Sequence, residues 1–361
     1  ASDVISTLTA QHLTSNGVAL TYALSADGTT LTAYRYDEAH HTYVDGEGHA
    51  TGNMANAAVF TVALSDQGQG AYTFTLIDNV DHPVHNTEDD VTLTLGFVAT
   101  DSDGDAVSDT FSIKINDDAP VLNREIATGV VDEDGLPTGL ADGPGDVPGQ
   151  NTVATGDLGI SWGADSANNL GNVGITGASP VNGDRAVTFA SDATTTLAAL
   201  HLTSNGVGLT YALSEDGTQI TAYRYDGHHY IDGNGNWTGN PANAAVFTVK
   251  LSDLNSGSYT FTLLDNLDHP VPNTEDSIAL TLKYVATDSD GDQVGGTFKV
   301  SVNDDSPEAH TGTAKSISEA DINAGGGDCG PDFGGHDGGG HDASVTGALN
   351  IKWGADNNDS G

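Results

Sequence analysis

The chain of 361 residues holds one cysteine, Cys329, so no disulfide can close within it. Lys and Arg together number 10 against 51 Asp and Glu, giving a formal net charge of -41. A surface this acidic repels phosphate, which argues against nucleic acid and anionic membranes as partners. No apolar run approaches the roughly 20 residues of a membrane helix, so no membrane insertion is expected. Glu and Lys, both good helix formers, are also scarce. Of the acids, 42 are Asp and only 9 Glu, and glycine reaches 46. Asp and Gly both weaken helix interiors, and no amphipathic helix is legible. No cleavable leader opens the chain, which starts Ala1-Ser2-Asp3-Val4, so any export signal is expected elsewhere.

What the chain does have is repetition. His12-Leu13-Thr14-Ser15-Asn16-Gly17-Val18 returns as His201-Leu202-Thr203-Ser204-Asn205-Gly206-Val207. Ala99-Thr100-Asp101-Ser102-Asp103-Gly104-Asp105 returns as Ala286-Thr287-Asp288-Ser289-Asp290-Gly291-Asp292. Trp162-Gly163-Ala164-Asp165 returns as Trp353-Gly354-Ala355-Asp356. Self-similarity at this scale marks a tandem array. The expected division is 1–118, the later part of one unit; 119–305, a complete unit; and 306–361, the opening of a third. Residues 323–342, rich in Gly, His and Asp, read as a flexible insertion. Both ends fall inside a unit, which predicts an excerpt of a longer array.

Within a unit the apolar period is two. Phe60, Val62 and Leu64 alternate with polar neighbours, as do Tyr72, Phe74 and Leu76, and Phe111, Ile113 and Ile115. The second copy repeats these rows at Phe247/Val249/Leu251, Tyr259/Phe261/Leu263 and Phe298/Val300/Val302. Short alternating strands between Asp-Gly and Asn-Gly turns predict an all-β fold of antiparallel sheets packed as a sandwich. Asp45-Gly46-Glu47-Gly48 and Asp232-Gly233-Asn234-Gly235 read as hairpin turns.

The sharpest chemical motif is Asp-Ser-Asp-Gly-Asp. Carboxylates at alternate positions, with a glycine to turn the chain, can surround a hard cation such as Ca²⁺, which takes six to eight oxygens. Asp101, Asp103 and Asp105 are one candidate set; Asp288, Asp290 and Asp292 are the other. The bidentate Glu of an EF-hand is missing, so further ligands must come from elsewhere. The unit boundaries offer Asn116, Asp117 and Asp118, then Asp132 and Asp134 around Glu133. The second boundary offers Asn303, Asp304 and Asp305, then Glu319 and Asp321. These acidic groups are expected to converge where one unit meets the next, their repulsion cancelled by calcium. The Asp78-Asn79-Val80-Asp81-His82-Pro83 segment, repeated at 265–270, suits either another calcium loop or plain Asx turns. Paired histidines at 40–41 and 228–229 would point to opposite faces of a strand, a poor zinc site. No nucleophile–base set recurs, and no enzyme is expected.

Taken in order, Leu-Thr-Ser-Asn-Gly-Val, Phe-Thr-Val-x-Leu, Tyr-Thr-Phe-Thr-Leu, Leu-Asp-His-Pro, Ala-Thr-Asp-Ser-Asp-Gly-Asp and a closing Asn-Asp-Asp-x-Pro form a series. It resembles the tandem repeat of giant RTX-type adhesins and biofilm-associated proteins exported by bacterial type I secretion. The resemblance covers most of 12–305. It implies Ig-like sandwiches with calcium at their junctions, forming an extracellular stalk at the bacterial surface or in a biofilm matrix. The partners it implies are neighbouring repeats, and the phase of the two chain ends adds head-to-tail self-assembly by strand addition. A glycan- or cell-binding module working through variable loops is the competing expectation.

Overall fold

The computed structural model of the chain describes residues 2–123, 126–141, 150–168, 183–271, 274–316 and 344–356. It is all-β, and the alternation in the sequence explains why. In the strand Ala58–Ser65, Phe60 and Val62 point inward and Thr61 stands between them half-exposed. Residues 14–76 build a seven-stranded sheet, and a long hairpin, Asp90–Thr100 with Ala106–Asn116, lies beside it. Residues 119–305 build a six-stranded sheet running from Val153–Asp157 to Thr203–Ser204, and a four-stranded sheet holding Gln293–Asn303 and Ser277–Thr287. Among the described residues no ladder crosses residue 118 or residue 305.

Each of these two portions has its own apolar core. One contains Leu31, Phe60, Leu93 and Ile115; the other contains Phe247, Phe261, Leu280 and Phe298. In the second core Tyr259 of the six-stranded sheet stacks on Phe298 of the four-stranded sheet, ring centroids 4.1 Å apart. That contact joins the two layers of a sandwich.

One ladder departs from the antiparallel expectation. Ala127–Asp132 runs parallel to Gln293–Asn303, with Asp132 opposite Asn303. An early strand of the unit thereby lies against its closing strand. A second neighbour, Val153–Asp157, covers the edge of Ser258–Leu263. The equivalent strand Ala71–Leu76 has no such cover among the described residues. Tyr72 is accordingly 47% exposed, whereas its counterpart Tyr259 is 1% exposed.

Two short helices, Ser2–Thr9 and Ala193–Ala198, correct the expectation of none. They are the same element in the two copies: Ser2 corresponds to Ser191, and Leu8 to Leu197. Both are Thr-containing and weak by propensity. Leu8 and Leu197 are fully buried, so packing rather than propensity holds each turn in place.

Candidate metal centre

The site begins with a buried arginine. In Thr30–Asp37, Leu31, Ala33 and Arg35 share the inward face, so the alternation itself carries Arg35 into the interior. Its guanidinium is satisfied from three sides. Nη2 donates to Asp78 Oδ2 at 2.6 Å, Nη1 to Ser15 Oγ at 2.7 Å, and Nε to the Val44 carbonyl at 3.3 Å. Arg224 repeats this with Asp265, Ser204 and Ile231. From Arg35 the bonds continue outward. Ser15 Oγ donates to Asn79 Oδ1, and Asn79 Nδ2 donates to Asp165 Oδ1 at 2.5 Å. Asp81 accepts the backbone N–H groups of Asn16 and Gly17. The 78–82 segment is therefore a rigid shelf, fixed from below by Arg35.

On that shelf three carboxylates meet. Asp117, Asp165 and Asp290 are all buried, each with an oxygen within 4.8 Å of the others. They come from residues 1–118 in one case and from 119–305 in the other two. Among the described residues none of them pairs with Lys or Arg. Oδ2 of Asp117, Oδ2 of Asp288, Oδ1 of Asp290 and Oδ2 of Asp292 are buried without a hydrogen-bond donor. Burial, with the charge of Asp290 added, pushes Asp165 up to about 8 and Asp117 up to about 6. Burial also pushes Asp288 up to about 9, again with Asp290 contributing. Orphaned carboxylate oxygens facing one another are the chemistry of a hard divalent cation, and the donor set fits one.

Asp165 arrives there through the Trp-Gly-Ala-Asp turn. Asp118 accepts the Ala164 N–H at 2.9 Å, and its carboxylate lies against Gly163, where a Cβ would stand 2.6 Å from it. Glycine is required there by space and by its φ of +73°. The same turn at Gly354 packs on Asp305.

The two Asp-Ser-Asp-Gly-Asp turns share one conformation and differ in surroundings. Asp288 Oδ1 accepts from Gly291 and Asp292, as Asp101 Oδ1 does from Gly104 and Asp105. The 288–292 turn is docked on the shelf of the preceding unit. His82 N–H donates to Asp290 at 3.1 Å, Asn86 N–H donates to Asp292, and Ser289 reaches Asn16. The 101–105 turn is exposed, its three carboxylates close to one another but in solvent. This corrects the expected convergence of Asp101–Asp105 with Asn116–Asp118. Those groups sit at opposite ends of an 11-residue strand, about 35 Å apart at about 3.4 Å per residue. Asp117 meets the turn of the following unit instead. Asn116 bonds Asp90 outside the cluster.

Asp132, Glu133 and Asp134 also go elsewhere than expected. The parallel register that sets Asp132 opposite Asn303 sets the next residues, Glu133 and Asp304, side by side. Asn303 Nδ2 donates to Asp132, and Asp134 N–H is capped by Asp132 Oδ1. Glu133, His269 and Asp304 then form a second cluster with ligand atoms within 4.8 Å. Burial, reinforced by Asp356, holds the Glu133 carboxyl well above the usual carboxylate range, and burial pushes Asp304 up to about 7. Asp305 binds the Ala355 and Leu140 N–H groups. Glu319 and Asp321, with the 323–342 insertion, lie outside the described residues. Sequence reasoning missed Arg35, Asp165, Asp356 and the site role of His82 and His269. Their signals were the inward alternation at Arg35 and the recurrence of the Trp-Gly-Ala-Asp step.

The unit that supplies Asp165 and the docked turn is also where a known family appears. Residues 152–301 match DUF5801, a domain of unknown function. The DUF5801 stretch, less than half of the chain, starts beside the strand Val153–Asp157 and ends within Gln293–Asn303. It carries Asp165, Asp288, Asp290 and Asp292, while Asp117, Glu133 and Asp304 flank it. No curated protein matches the chain.

Proposed function

We propose that the chain is a structural extender from an extracellular bacterial adhesin or matrix filament, with Ig-like units stiffened by calcium at their joints. The observation that carries this reading is the Asp117–Asp165–Asp290 cluster, buried between two units and lacking a Lys or Arg counter-charge among the described residues. At an effective dielectric of about 20, two like charges about 4 Å apart repel by about 4 kcal/mol. A joint built from such groups is poor without a cation and rigid with one. Asp117, Asp165 and Asp290 would hold the ion, with Asp288 and Asp292 beside them; the exposed Asp101–Asp105 turn offers a separate, weaker set. Extracellular calcium modules work at about 10⁻⁴–10⁻³ M, which suits a chain that folds and stiffens after export. The RTX-type resemblance of the repeat supports the placement outside the cell.

The test is calcium titration by calorimetry, together with small-angle scattering in millimolar calcium and in EGTA. Uptake of calcium with a more extended, less flexible particle is expected. Absence of uptake, with the same scattering in both media, refutes the reading.

A further inference from the structure

The second cluster places a buried imidazole among its carboxylates, as His82 stands beside Asp117 in the first copy, and adds a glutamate. The His269 side chain is 2% exposed and neither ring nitrogen makes a hydrogen bond. Nε2 lies 3.5 Å from Glu133 Oε1, and Nδ1 lies 3.4 Å from Asp276 Oδ1. Glu133 is fully buried, with Oε2 lacking any donor, and Asp276 Oδ1 is buried and unpartnered as well. Glu133 Oε1 is itself fixed by the Leu267 N–H at 2.7 Å. Four polar atoms are thus aimed at one another from three segments without bonding.

Donor atoms about 2.0–2.2 Å from a tetrahedral zinc ion stand about 3.3–3.5 Å from each other. The Nε2 to Glu133 separation has that value. The far side of the ring supplies the usual companion: a ligating histidine turns its other N–H to a carboxylate, which fixes the tautomer and ring orientation. Asp276 occupies that place. In the first copy the corresponding His82 Nδ1 lies 3.2 Å from Asp89, so the orienting pair is repeated. Calcium, a hard ion, takes oxygen ligands; imidazole suits borderline first-row ions, zinc above all.

We propose that Glu133, His269 and Asp304 form a centre for a borderline divalent cation, Zn²⁺, separate from the Asp117–Asp165–Asp290 cluster, with Asp276 orienting the imidazole. The first copy has the imidazole and both aspartates, His82, Asp89 and Asp117, but its cluster contains no glutamate among the described residues. The tight site is therefore assigned to the Glu133 cluster. The inference does not rest on calcium at the other cluster.

The experiment uses the full chain in saturating millimolar calcium, titrated with Zn²⁺ and with Co²⁺ as a spectroscopic probe. One equivalent is expected to bind despite the calcium, with the visible absorption of tetrahedral Co²⁺. His269→Gln and Glu133→Gln should each weaken that equivalent at least 100-fold. Asp276→Asn should weaken it 10–100-fold, and His82→Gln should leave it unchanged. An anomalous-scattering map of the Zn²⁺-loaded native chain decides the matter should a variant fail to fold. Zinc located only on the exposed His40, His41, His228 or His229, or retained in full by His269→Gln, overturns the proposal. So does complete displacement of Zn²⁺ by calcium. Calcium uptake is read separately, so failure here and failure of the calcium reading are distinct results.

Discussion

Asp290→Asn separates charge from shape. The substitution keeps the side-chain volume and an oxygen that can still accept from His82 N–H. It removes one of three crowded carboxylates. At pH 7 Asp165, pushed up to about 8, is largely protonated, whereas Asp117, at about 6, is ionised. Two ionised carboxylates at this spacing repel by about 3–4 kcal/mol at a dielectric of about 20. Removing that repulsion should stabilise the joint by about 2–4 kcal/mol. At about 2–4 °C per kcal/mol for a unit of this size, Tm in EGTA rises by roughly 5–15 °C. In calcium the gain should shrink. With a Kd of about 10⁻⁴ M, millimolar calcium adds about 1.4 kcal/mol to the unsubstituted protein, and losing a ligand removes most of it. The assay is scanning calorimetry of both proteins in millimolar calcium and in EGTA. Asp103→Asn is the control: its turn is in water, where the same repulsion is about 1 kcal/mol, and Tm in EGTA should hardly move. An Asp290→Asn change of the same sign and size in both media refutes the reasoning.

Three further outcomes follow from the same geometry. Asp117, Asp165, Asp288, Asp304 and Asp356 all have folded values raised above those of an unfolded carboxylate. Their contribution to stability is complete below about pH 4 and is lost as pH rises through about 6 to 9. In EGTA the chain should therefore melt lower at pH 8.5 than at pH 5, and calcium uptake at pH 7 should release protons; a flat or rising melting profile contradicts this. Arg224→Met leaves Asp265 without its guanidinium and should cost about 3 kcal/mol by chemical denaturation, with Asp265→Asn milder because an acceptor remains; equal costs argue against the ion pair. In Gly156→Ala the new methyl would lie 2.4 Å from the Tyr259 ring, which is pinned by its stack on Phe298. Overpacking of about 1–3 kcal/mol exceeds the gain of about 0.4–1 kcal/mol from a stiffer unfolded chain, so the net change in unfolding midpoint should be a loss.

The period-2 rows made the strands readable, because each inward Phe, Val or Leu must find a core. They also carried Arg35, which sits in the row Leu31-Ala33-Arg35 but is easily passed over as a surface charge. The carboxylates were visible as motifs, but their partners were not. Motif spacing does not tell which end of a hairpin of two 11-residue strands meets a neighbour, nor that Glu133 is brought to Asp304 by a parallel ladder closing over 171 residues of chain. Asp165 was visible as part of a repeated step; only the fold reveals that Asp118 holds that step against the preceding unit's shelf. The helices were hidden for the opposite reason: their threonines say no, and one buried leucine each overrules them.

The parallel ladder between Ala127–Asp132 and Gln293–Asn303 also sets how the unit meets a pull on the chain. Tension from the preceding unit enters at the first strand's leading end and leaves at the trailing end of the last. The two strands are dragged lengthwise past each other, so their six residue pairs must yield together instead of peeling one by one. The architecture suits a unit that resists extension until it gives way abruptly.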